Sequence, residues 1–453
     1  MIVAVVWCWW ALVASLPWKG LWEFDPDVRP ILHGLRAAGD GWGWHWWHGV
    51  WAQGSITTYW RPVISQIWLA ELRIFGEDWD RWRFVSYGVH LALLFALWGF
   101  VARFVRSRFV GLVAAFTMVC LPWSLLNLIP WFPLQTSLFS DLGIVLCLWA
   151  FVVYLDRGGR RHLAAALLAF VFAVTCREIA FITPGLALCV AWARRKPLAA
   201  WPLWAAGAAL WGYRVAVLPP SAFDALTGRP STATLTARAL LGPFAYGLAP
   251  AMNRSAFDGT ETWAMVVGVL LAVTIVLASR SWRKGLAAFA VTAVLSCLLA
   301  WRLLGSWEAG VAGVEFIPSV LPYAVVVAAG ALVWRSGLRR EGIATYGMLA
   351  LLYLPAAGRS ALHQRFELLL AQAIILSVVL AAIREPLARR FPLGASIVSW
   401  AVVAALFASA WRSTAAGPAV PAHLFQGIGA AALLAGIYAG LRLTPPPAPA
   451  SGV

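Results

Sequence analysis

Long apolar stretches, each closed by a short polar or basic segment, recur along the whole chain. Runs near 20 residues match helices that cross a hydrocarbon layer about 30 Å thick. The pattern predicts about fourteen such helices. They begin near Met1, Val85, Phe109, Leu134, Leu163, Ile179, Leu198, Trp263, Leu286, Phe316, Gly342, Glu367, Leu393 and Leu424. Only Arg177-Glu178 and Pro184 separate the fifth from the sixth. A shorter helical period runs over Pro62–Phe75, with apolar Val63, Ile67, Ala70 and Ile74 and polar Gln66 and Arg73 between them. A helix of that kind beside a membrane lies in the interface. The expected fold is therefore an all-α, polytopic integral membrane bundle with one interfacial helix. Residues 1–443 form the membrane domain, with long segments at 19–84 and 219–261. The Pro- and Ala-rich tail 444–453 reads as disordered. Met1–Trp18 lacks a basic start and a small-residue cleavage site, so it reads as a retained first helix.

Composition sharpens this reading. The chain has 453 residues, 62% hydrophobic and 12% charged, with mean hydropathy +0.77. Disordered chains need low hydrophobicity, and ordinary soluble domains carry about 25% charged residues. The net charge of +16 comes almost entirely from arginine, since the lysines are Lys19, Lys196 and Lys284. The basic residues do not gather on one face, which argues against a nucleic-acid partner. They fall instead in short loops: Arg103/Arg106/Arg108, Arg157/Arg160/Arg161, Arg194/Arg195/Lys196, Arg280/Arg283/Lys284, Arg335/Arg339/Arg340 and Arg384/Arg389/Arg390. Each follows an even-numbered span, which places those loops and both termini in the cytoplasm. Of the acids, only Asp156, Glu341 and Glu385 fall on that side. Any chemistry then faces outward, at the external or periplasmic face of a plasma or inner membrane.

Cysteine carries little information. Cys8, Cys120, Cys147, Cys176, Cys189 and Cys297 all lie in or beside apolar segments without CxxC spacing, and read as small buried hydrophobes. The run Gly41-Trp42-Gly43-Trp44-His45-Trp46-Trp47-His48 reads as an interfacial anchor or as a platform for stacking a sugar. Two histidines without a nearby carboxylate point only faintly to metal.

Several motifs in order carry a resemblance. Phe24-Asp25-Pro26-Asp27 follows the first apolar helix. Tyr59-Trp60-Arg61-Pro62, a short helix, Phe75-Gly76 and a helix containing His90 come next. Asp141, Cys176-Arg177-Glu178, Tyr213-Arg214 and Phe316-Ile317-Pro318-Ser319 continue the series. The series resembles the C-type (GT-C) integral membrane glycosyltransferases, and within them the membrane part of the tetratricopeptide-containing O-mannosyltransferases. It covers residues 1–215 well and the remainder loosely. Pro26 splits the acidic pair, Phe139 stands where that family usually has arginine, and no 34-residue period follows.

The resemblance implies transfer of a sugar, hexosyl or mannosyl in type, from a polyprenyl-phosphate carrier to an acceptor hydroxyl, with inversion. The acceptor hydroxyl needs a general base. Asp25 and Asp27 are the candidates, with Asp25 preferred; capping a helix over Val28–Ala38 is the competing role for Asp27. The leaving phosphate needs fixed positive charge, which arginine supplies in a planar fork. Arg61, Arg177, Arg214, Arg302, Arg359 and Arg365 all fall on the external side, and Arg359 shares one short loop with His363 and Arg365. Snorkelling or local ion pairing is the plainer role for any single arginine. Asp141, Glu178, His90 and His363 shape the site. Oxygen ligands could hold a divalent ion, but no metal and no cofactor beyond the donor is expected. The expected partners are membrane lipid, the lipid-linked sugar, an acceptor (protein, lipid or polysaccharide) and an accessory protein. Two other classes compete: a lipid or sugar transporter or flippase, and a scaffold that keeps the fold without the chemistry.

Overall fold

The computed structural model describes residues 50–53, 57–120, 135–218 and 339–353. These residues are helical apart from one antiparallel ribbon. Strand β1 (Val50–Gln53) pairs with β2 (Thr57–Trp60), Val50 opposite Trp60 and Gln53 opposite Thr57. The all-α expectation missed this ribbon. Its two halves are four residues each, too short for a period-2 pattern to stand out in a segment dense with tryptophan.

Helix α1 (Pro62–Phe75) occupies the predicted short helical stretch. Pro62 takes the first helical position, where its missing N–H costs nothing, and Arg61 before it is held out of the helical region at φ −141°. Gly76 ends the helix at φ +60°, a conformation that suits glycine. Its N–H donates to Leu72 O at 2.8 Å, while its carbonyl accepts from Trp82 Nε1 at 3.0 Å. That turn leads into α2 (Trp79–Phe104). Helix α1 buries most completely the face that neighbours its apolar stripe. Ile64, Ser65, Trp68, Leu69 and Glu71 are buried, whereas Ile74 is 69% exposed. The stripe through Val63, Ile67, Ala70 and Ile74 is the less covered side.

Helices α3 (Arg108–Cys120), α4 (Gln135–Arg157), α5 (Arg160–Cys176), α6 (Thr183–Ala193), α7 (Trp201–Val217) and α8 (Arg339–Tyr353) complete the set. Short 3-10 turns precede α6 (Glu178–Ile182) and α7 (Pro197–Ala200). Helices α2 and α4 are long and apolar enough to cross a membrane. Helix α4 is the central element, packed along α2 and α5 and touching α1 and α6; α8 lies against α6. Small residues permit these approaches, as in helix pairs within lipid. A Cβ at Gly143 of α4 would lie 2.7 Å from Ala173 Cβ of α5, and one at Gly99 of α2 would enter the Trp149 ring. Fully buried Phe100, Phe104, Phe151 and Phe170 fill the space between the helices.

Charged groups gather at the two ends of this bundle. Ser137 and Asp156 mark those ends on α4, about 28 Å apart at about 1.5 Å per residue. That separation is close to the hydrocarbon thickness of a bilayer. Several large apolar side chains face outward between or beside the ends: Leu168, Leu198, Trp201, Trp204 and Trp211 are all exposed.

Candidate functional site

The site grows from the break between α5 and α6. Arg177 has extended backbone, φ −159° and ψ 139°, where a continuous apolar run would otherwise carry on as helix. Successive side chains on extended chain point to opposite sides. Arg177 therefore reaches Ser137 Oγ at the start of α4, and Glu178 reaches the other way, to Arg61. Arg61 Nε and Nη2 both donate to Glu178 Oε2, at 3.1 and 3.0 Å. The pair joins the segment between β2 and α1 to the α5–α6 break, 117 residues later. Both side chains are mostly covered, at 18% and 17% exposure.

Arg214, in the last turn of α7, brings a second positive charge to Glu178. Its guanidinium stacks over Trp211 at 5.1 Å, and Trp211 meets Phe181 edge-on at 5.2 Å. Tyr213 beside it meets Trp60 edge-on at 5.8 Å. Burial pushes the Glu178 carboxyl upward, but the charges of Arg61 and Arg214 and the Arg61 hydrogen bonds outweigh it. The carboxyl is held below its ordinary range and stays ionised. Its second oxygen, Oε1, is buried and accepts no hydrogen bond among the described residues; Tyr213 OH and the Trp60 indole N–H are likewise buried with no hydrogen-bond partner among them.

Thus Arg61, Arg177, Arg214 and Glu178, four residues singled out from sequence, come together at one end of the bundle. Asp141 lies one turn beyond Ser137 on the same face of α4 and is 2% exposed. Among the described residues this group sets Arg61, Arg177 and Arg214 beside Glu178 and Asp141. His90 is fully buried in α2. Asp25, Asp27, Arg359, His363 and Arg365 lie outside the described residues, as do the 41–48 tryptophan run, the 219–261 segment and the tail. Among the described residues no three His, Cys, Asp or Glu side chains gather as a metal site would require.

A second polar group beside this site was not anticipated. Gln135, the first residue of α4, accepts from Trp68 Nε1 of α1 at 2.8 Å. Its amide nitrogen faces Ser86 Oγ at 3.0 Å and Glu71 Oε1 and Trp82 O at 3.4 Å. One amide so ties α1, α2 and α4 together. Glu71 is 3% exposed, and burial raises its carboxyl to about 8, against a smaller opposing effect of the Gln135 amide. Ile64, Trp68 and Glu71 repeat at helical spacing, but an acid at such a position ordinarily marks a solvated face, so only its tertiary partner Gln135 identifies this one as buried.

The opposite end is built differently. Arg194, 6% exposed, pairs with Asp156 at 3.3 Å and Glu341 at 3.4 Å, and donates to the carbonyls of Arg103 and Phe104 at 2.9 and 3.0 Å. Arg103 pairs with Asp156 at 3.1 Å, and Lys196 Nζ donates to Leu155 O at 2.6 Å. Cations here cap the carbonyl ends of α2 and α4, where the helix dipole is negative.

No protein-family model, curated protein or solved structure matches the chain.

Proposed function

We propose that the chain is an inverting, polyprenyl-phosphate-sugar-dependent glycosyltransferase with a multi-pass C-type bundle, acting at the non-cytoplasmic membrane face. The observation that carries this reading is the meeting of Arg61 and Arg214 at Glu178, with Arg177 next to it bonded to Ser137, at one end of apolar helices of bilayer length. An arginine cluster at that depth suits a lipid-linked phosphate. Its charge is permanent, its donors are planar, and low local dielectric strengthens each contact. The carrier's chain would lie in the apolar region while its phosphate meets the arginines.

In this reading Asp25, with Asp27 beside it, takes the proton of the acceptor hydroxyl as that oxygen attacks the anomeric carbon. The bond from that carbon to the carrier phosphate breaks, and the arginines stabilise the phosphate that leaves. Asp141 and Glu178 set the arginine geometry. The six basic loops support an orientation with both termini in the cytoplasm and this end of the bundle outside. A transporter would place its polar groups near the membrane midplane; the ion pairs among the described residues sit at the helix ends.

A transfer assay on the purified protein in lipid tests the proposal, with a panel of radiolabelled polyprenyl-phosphate sugars and candidate acceptors. Turnover of one carrier that is lost in Asp25→Asn and reduced in Arg61→Ala is the expected result. A folded protein that binds the carriers but turns none over with any acceptor points to a scaffold instead.

A further inference from the structure

We propose that Glu178 is a positioning residue: it holds Arg61 and Arg214 in one fixed arrangement before a carrier phosphate arrives. This rests on the phosphate-carrier reading of the site. Arg61 and Arg214 repel one another, and each is attracted to Glu178. Two of the Arg61 donors converge on a single carboxylate oxygen, which fixes the plane of its guanidinium. Arg61 comes from the approach to α1, Arg214 from the end of α7 and Glu178 from the α5–α6 break. One carboxylate thus ties together three segments that are remote in sequence. The extended backbone at Arg177 is what turns Glu178 toward Arg61 and Arg177 toward Ser137. A straight helix across the break would not divide the two side chains in this way.

The inference makes an unusual prediction of sign. Removing the Glu178 charge raises the net positive charge of the site. If Glu178 were only a counter-ion competing with phosphate, its removal would tighten anion binding. If it positions the arginines, removal weakens binding despite the added positive charge, because Arg61 loses the two hydrogen bonds that set its plane.

The test uses the full-length protein in phosphatidylcholine nanodiscs, a zwitterionic lipid that does not compete as an anion. The probe is a polyprenyl monophosphate, with affinity and stoichiometry read on the folded fraction. Glu178→Gln should weaken binding about tenfold, the scale of one charged hydrogen bond. Glu178→Asp keeps the charge on a shorter arm and should recover part of that loss; it also serves if Glu178→Gln folds poorly. In an Arg61→Ala background the Glu178→Gln penalty should shrink, since the two residues act as a unit. Equal or tighter binding by Glu178→Gln overturns the inference, and so does a penalty that persists undiminished without Arg61. Saturable binding by the wild-type protein separates these outcomes from failure of the phosphate reading itself; its absence would remove both.

Discussion

At one end of the helix bundle Arg194 is shared among two carboxylates and two helix-end carbonyls. At the other end a single carboxylate, Glu178, is shared among arginines. The ends use the same cation in opposite proportions. In the first, acceptors are plentiful: Asp156, Glu341 and the carbonyl termini of α2 and α4 surround the cations. In the second, the start of α4 presents its positive pole beside Arg177. In the first, Arg103, Arg194 and Lys196 each meet protein carboxylates or carbonyls, so the cluster is complete in itself as a tie between helices. Among the described residues the second sets Arg61 and Arg214 against one carboxylate at a partly covered position, where low dielectric strengthens contact with an anion. Cations surrounded by acceptors hold helices together, and cations sharing one acceptor are suited to meeting an anion.

The largest expected effect is at the complete end. Arg194→Ala removes the cation from Asp156, Glu341 and two carbonyls together. Breaking a buried pair by deleting one partner typically costs about 3–5 kcal/mol. Thermal unfolding in nanodiscs should show a corresponding fall in Tm, with polyprenyl phosphate binding by the folded fraction unchanged. A large loss of binding affinity there would break the division between the two ends.

At the arginine-rich end, Arg61→Lys retains charge but loses the planar grip on Glu178. Binding of the polyprenyl monophosphate should weaken by about 1–2 kcal/mol, roughly tenfold, while Tm moves less than in Arg194→Ala. If stability falls more than affinity, Arg61 is a structural tie and the two ends are alike.

Glu71 sharpens the comparison through pH. Its carboxyl is raised to about 8 in the folded protein, above the ordinary value of 4.5. A raised acid stabilises the fold fully below the unfolded value, and that contribution is lost as pH rises through the folded value. Stability should therefore fall as pH rises from about 4.5 to 8. Glu71→Gln should flatten this slope. Hydrogen exchange of α1 against pH checks it, since α1 is the helix that Glu71 and Gln135 fasten to α2 and α4. An unchanged slope in Glu71→Gln would place the titrating group elsewhere.

The parts of this picture legible in sequence were those written in local pattern. Apolar runs with basic closures marked α2 and α4, and Pro62 and Gly76 bracketed α1. Arg61, Arg177, Arg214 and Glu178 were found through motif order, although their meeting depends on contacts spanning more than a hundred residues. Sequence could not say whether Arg177-Glu178 interrupts a helix, because tertiary contacts with Ser137 and Arg61 decide it. Nor did it reveal Gln135, whose role comes from three helices converging on one amide. On α1 the apolar stripe through Val63 and Ile67 suggested a helix lying in the membrane interface without telling which face meets the bundle, and the chain buries most completely the neighbouring face, with Ser65 and Glu71 on it. Polar groups that find partners inside can outrank exposed apolar ones for the inward face.

The smallest effect tests the edge of the complete cluster. Arg103 and Asp156 are 3.1 Å apart, but their side chains remain 28% and 25% exposed. Asp156 also keeps Arg194, which is far more deeply buried. Arg103→Ala therefore leaves no stranded charge, and water can reach what remains. Such pairs are worth about 1 kcal/mol or less, so Tm should shift only slightly, and less in high salt where exposed charges are screened. The backbone carbonyl of Arg103, which Arg194 uses, is unaffected by that substitution. A double-mutant cycle between Arg103→Ala and Asp156→Asn measures the pair alone. A coupling as large as that of Arg194 would mean that the whole end acts as one network, with Arg103 as integral to it as the buried arginine.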